Sequence, residues 1–102
     1  MKNMQQMLMQ AQKMQRELKK AKDELTKKEF IVSKGGMVKV TALGSKEIVE
    51  ILIEEDAFEI ENKELIEETI ALCVNEILQK IEKEEHKINE AITGSSTGGG
   101  LF

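Results

Sequence analysis

A chain of 102 residues, 40% hydrophobic and 33% charged, makes one small domain at most. Three phenylalanines are its only aromatic residues, so aliphatic helix packing must carry the core, and its lone cysteine excludes an intrachain disulfide and suits a reducing compartment. The net charge of −4 is unevenly divided: residues 1–28 carry eight Lys or Arg against three Asp or Glu, and the remainder carries seven against sixteen.

The first predicted element is a helix over roughly the first 25 residues. Met4, Met7, Ala11, Met14, Leu18, Ala21 and Leu25 follow steps of three and four without a break, a heptad seam three repeats long. Apolar residues spaced by Gln and Lys form neither a membrane span nor the fused core of a signal peptide. A 25-residue helix is about 37 Å long, more than so short a chain can cover alone. The seam residues Met7, Ala11, Met14, Leu18, Ala21 and Leu25 are therefore expected at a homodimer interface, packed adaptably rather than as a tight zipper.

The period then changes. Residues 29–33, 37–43 and 46–54 are rich in β-branched residues and are separated by Gly35-Gly36 and Gly44-Ser45, which predicts three antiparallel strands in a meander. Val38, Val40 and Ala42 should share one face of the middle strand, and Val49, Ile51 and Ile53 one face of the third. Ile48 and Leu52 make the other face of that strand partly apolar, so the sheet asks for cover on both sides. An acidic stretch, residues 54–68, leads to Asn62 as the expected N-cap of a last helix running from 63 to about 92. Its stripe is Ile66, Ile70, Cys73, Ile77, Ile81, Ile88 and Ile92, interrupted once by Glu84. The predicted fold is α+β: one α-β-β-β-α domain over 1–93, two long helices flanking the meander, then a Gly/Ser-rich tail over 94–102 expected to be flexible.

Little in the sequence suggests catalysis or cofactor chemistry. The glycine pairs and runs lack the Lys-Ser/Thr of a phosphate loop. Glu82 and His86 have chelating spacing but no evident third ligand, so an ion pair or bare surface is expected and no metal site. Cys73 falls on the apolar stripe and reads as a buried thiol. The expected protein is not an enzyme and takes no cofactor and no small-molecule substrate.

"QAQKMQ" over 10–15, the Gly35-Gly36-x-Val38-x-Val40 turn and strand, Gly44 before the third strand, Asn75 and the terminal Gly-Leu-Phe occur here in a characteristic order. In that order they resemble the YbaB/EbfC family of bacterial nucleoid-associated proteins over nearly the whole chain. The resemblance implies an intertwined, tweezer-like homodimer in the cytoplasm and nucleoid, binding double-stranded DNA with its long helices as arms. It places DNA contacts on Lys13, Arg16, Lys19, Lys20 and Lys22 of the first helix, and on Lys80, Lys83 and Lys87 of the last. Where many relatives read Asn-Asp-Ala followed by basic residues, this chain has Asn75-Glu76-Ile77, so its last helix is less basic.

The expected mechanism is neutralisation of phosphates with release of counterions, which needs no base recognition and gives low sequence specificity. No aromatic residue lies among the lysines of either helix to stack on single-stranded bases. The alternatives are a prefoldin-like holdase gripping unfolded chains with Met-rich helices, and an adaptor using the acidic rim to bind a basic protein.

Overall fold

The computed structural model describes residues 2–93; Met1 and the expected tail, 94–102, lie outside them. Helix α1 spans Lys2–Lys27, strands β1, β2 and β3 span Glu29–Lys34, Val38–Leu43 and Ile48–Ile53, and helix α2 spans Lys63–Thr93. Two short 3-10 turns, Glu55–Ala57 and Ile60–Asn62, occupy the acidic stretch between β3 and α2. The strands form one antiparallel sheet in the order β1-β2-β3. The α-β-β-β-α order is the one the sequence predicts.

Both hairpin turns follow from local chemistry. Gly35 and Gly36 sit at φ 61° and 63°, the paired left-handed conformation of a type I′ turn, and the Met37 amide donates to the Lys34 carbonyl at 3.1 Å. The second turn puts a non-glycine residue, Lys46, at φ 77°. It is held by the Lys46 amide donating to the Leu43 carbonyl at 2.8 Å.

The core lies between one face of the sheet and α2. Val32, Val38, Val40 and Ala42 meet Ile66, Cys73, Ile77 and Ile81, and all eight are buried. The third strand departs from simple alternation. Pairing shifts between Thr41 and Ala42, so Ala42 opposes Ile48 while Thr41 opposes Glu50. This bulge brings Ile48, rather than Val49, to the core face beside Ile51 and Ile53, because one extra residue reverses the alternation upstream of it. The expected face of Val49, Ile51 and Ile53 is corrected accordingly.

A second correction concerns Asn62. It directly precedes α2, but its side-chain amide donates to the Ala57 carbonyl at 2.9 Å instead of capping the helix. Asn62 ends the second 3-10 turn, where its backbone amide donates to the Glu59 carbonyl at 2.9 Å, so the residue is bonded back into the turn.

Helix α2 contacts β1, β2 and the C-terminal part of α1. Ion pairs link it to β1, to the end of α1 and to the β2–β3 turn: Lys34 Nζ to Glu76 at 2.7 Å, Lys28 to Glu84 at 3.7 Å and Lys46 to Glu85 at 3.7 Å. Glu84, which breaks the apolar stripe, is there to meet the end of α1. The molecule measures 73 × 27 × 14 Å. It is two layers thick and more than twice as long as it is wide.

Candidate nucleic-acid interface

The base of α1 is clamped to the β2–β3 turn. The Gly44 amide donates to the Lys28 carbonyl at 2.8 Å, and the backbones approach so closely that a Cβ on Gly44 would fall 1.8 Å from the Leu25 carbonyl oxygen. No side chain fits there, which explains a glycine outside any positive-φ position. Leu25 is buried at this junction. From here α1 runs antiparallel to α2: Lys28 faces Glu84, and Ala21 and Leu25 share a shallow groove with Ile88.

That antiparallel course decides how far α1 is covered. Nine residues beyond Glu84 bring α2 to Thr93 at about the level of Lys19 on α1. Along the seam, burial falls away in step: Leu25 is buried, Ala21, Leu18 and Met14 are half-buried, and Ala11, Met7 and Met4 are exposed. Met4 and Met7 are 67% and 69% exposed. Of the residues expected at a dimer seam, Ala21 and Leu25 are thus in contact with their own chain, and only Met7 and Ala11 stand clear. The first three turns of α1, to about Gln12, project as a bare arm.

Helical geometry, at about 3.6 residues per turn, puts Lys13, Arg16, Lys20 and Lys27 on the back of the arm, opposite the seam. Lys19 flanks this stripe. Lys22 turns toward α2, lining a groove with Leu25, Glu85 and Asn89. Among the described residues, none of Lys13, Arg16, Lys19, Lys20 and Lys22 has a carboxylate within ion-pair distance, whereas Lys28, Lys34, Lys46, Lys63 and Lys80 all do. The body's cations are largely matched at home; the arm's are not.

The α2 cations sit in mixed company. Lys80 lies 4.0 Å from Glu76, and Lys83 and Lys87 share their face with Glu82, His86 and Glu90. His86 pairs with Glu90 at 3.0 Å rather than with Glu82. The departure at Glu76 thus has a visible effect: its carboxylate bridges Lys34 and Lys80. Its hydrogen bond with Lys34 holds Glu76 below the usual carboxylate value and pulls Lys34 above the usual amine value. Burial pushes the Cys73 thiol up, which keeps it protonated and inert.

One surface was not legible in the acidic stretch. Helix α2 lies over β1 and β2 but leaves β3 open, so Ile51 is 42% exposed although its cross-strand neighbour Val40 is fully buried. Beside it, Phe58 (71% exposed) and Ile60 (85%) line a groove with Ile53, Ile66 and Ile70. The only signal in the sequence is that two large apolar residues alternate with glutamates at 58–61.

Comparison with known proteins agrees with this architecture. Residues 1–96 match the model of the YbaB/EbfC DNA-binding family. A nucleoid-associated protein of Clostridium novyi is 36% identical over 98% of this chain and 89% of its own length. Proteins of the same name in Enterococcus faecalis and Thermoanaerobacter pseudethanolicus are each 38% identical, over 95% and 98% of this chain and 90% and 91% of theirs. The chain belongs to the YbaB/EbfC DNA-binding family.

Proposed function

We propose that this protein is a nucleoid-associated, DNA-binding protein that holds duplex DNA as a homodimer, through the basic backs of its two α1 arms. The observation that carries this reading is the set of arm cations without an internal carboxylate partner. A phosphate meeting Lys13, Arg16, Lys19 or Lys20 displaces only mobile counterions, whereas one meeting Lys80 must compete with Glu76. Contacts of this kind act on the backbone and are indifferent to base sequence. The names of the relatives support the nucleoid as its site of action, and among the described residues no helix is long and apolar enough to cross a membrane.

The dimer is closed by the open side of the body. The uncovered faces of Ile51 and Ile53 and the groove at Phe58 and Ile60 form a continuous apolar surface next to a bare sheet edge, the kind of surface that a second copy covers. Closing there leaves both arms projecting, as a clamp that straddles one duplex or bridges two.

The test is a salt titration of random-sequence duplex binding. With three phosphate contacts per arm and two arms, at about 0.9 each, log K should fall against log salt with a slope near −5. Changing Arg16, Lys19 and Lys20 together to Gln keeps helix propensity and should weaken binding on every sequence, with a shallower slope. Equal binding by both proteins would take α1 out of the contact surface.

A further inference from the structure

We infer that Gln6, Met9 and Gln10, near the tip of the α1 arm, read A·T base pairs in the major groove of the bound duplex. This rests on the duplex binding proposed above and adds a base preference to it. The three residues line one shallow groove with Lys13 and Arg16, on the side of α1 opposite the seam. Among the described residues neither of those cations has a carboxylate within ion-pair distance, so a polyanion is the occupant whose charge matches. The family's DNA-binding character points to the same occupant. Whatever packs against the seam leaves this back face outward.

The composition of the groove exceeds what phosphate binding needs. Met9 is 68% exposed and belongs to no apolar stripe. It lies about 140° around the helix from Met4 and about 160° from Ala11. A large apolar side chain there gains nothing from a phosphate. The two glutamines carry no charge, and among the described residues no side-chain hydrogen bond within the chain occupies either amide. Uncharged amides and an apolar tip are the groups that distinguish base edges.

Dimensions select the groove. A helix about 10–12 Å across enters the major groove, about 12 Å wide, and not the minor groove, about 6 Å wide. Gln6 and Gln10 stand about 6 Å apart along the axis, close to two base-pair steps of about 3.4 Å each. In the major groove each amide N–H donates to adenine N7 while the amide oxygen accepts from the adenine N6 amino group. Guanine presents two acceptors there, so the glutamine oxygen would face O6 without a proton between them. Met9 packs on the C5 methyl group that thymine has and cytosine lacks. Lys13, Arg16 and Lys20, further along the same face, then meet phosphates and fix the register that the tip reads. Recognition helices work in this way, with their N-terminal residues on base edges and their other side packed against protein.

The test is competition among duplexes of one length, binding the full chain at fixed salt. The A·T-rich duplex should bind about ten-fold tighter than the G·C-rich one. Replacing adenine by 7-deazaadenine removes N7, and replacing thymine by uracil removes the methyl group; both leave the minor-groove edges and the phosphates intact. The first should abolish most of the preference and the second should lower A·T affinity about three-fold. Gln6→Ala/Gln10→Ala should lose the response to 7-deazaadenine, and Met9→Ala the response to uracil, each with an unchanged salt slope and intact helix content. A wild-type preference that survives both base replacements would overturn the inference, because the reading would then lie in the minor groove. Salt-dependent binding with equal affinity for all duplexes would overturn it too, while leaving the duplex-binding reading in place. No salt-dependent binding to any duplex would remove both.

Discussion

Gly44 is the residue on which the arm's attachment turns. Its amide and its missing side chain together allow the end of α1 to lie against the β2–β3 turn. Gly44→Ala puts a methyl group into the Leu25 carbonyl, backbone against backbone, and should cost about 3 kcal/mol, at the upper end of overpacking. The urea midpoint of the purified variant reads this directly, and a change under about 0.5 kcal/mol would show that the contact is loose. Sequence reasoning marks Gly44 as a turn residue, but its real constraint is a clash with a residue nineteen positions earlier. No local pattern reports that. The paired glycines at 35 and 36 are different, because the type I′ turn they make is decided by their own backbone freedom and is legible as soon as the flanking strands are.

Among the elements, α2 was the most legible and β3 the least. A 31-residue helix with an isoleucine stripe has one face that fits a sheet, and Ile66, Cys73, Ile77 and Ile81 are buried on it. In β3, Glu50 marks the outer face and alternation from it places Ile51 and Ile53 opposite, but the bulge beside Thr41 reverses the alternation upstream and moves Val49 out. The joint between β1 and α2 has a consequence in solution. Glu76 titrates lower in the folded chain than unfolded, so its contribution is present above the ordinary carboxylate value of about 4.3 and is lost as pH falls through the folded value. Lys34 behaves inversely: its contribution is present below about 10.4 and is lost as pH rises through the raised folded value. Glu76→Gln should therefore flatten the acid-side decline of the melting temperature, with little effect on the position of α1. Parallel declines in the two proteins would show that solvent already screens this exposed pair.

At the scale of the whole molecule, the proposed dimer places a second copy on the open flank of β3. Light scattering at micromolar concentration should report a particle of twice 11.5 kDa, and a stable particle of 11.5 kDa would end the dimer proposal. Phe58 and Ile60 are exposed in the protomer, so changing both to Glu should leave the circular dichroism intact and weaken association at least a hundred-fold. Loss of the fold instead would mean that the two residues serve the protomer core. Element order, the turns at 35–36, the α2 core stripe and the basic character of α1 were all settled by the sequence itself, because each depends on residues within a few positions of one another. Which part of the α1 seam is covered, which cations lack a partner and which face of β3 is open were decided only by tertiary structure. The physical reason is the same in all three: each depends on where α2 lies across the sheet and where it ends along α1, and a periodic stripe specifies a face but not its extent.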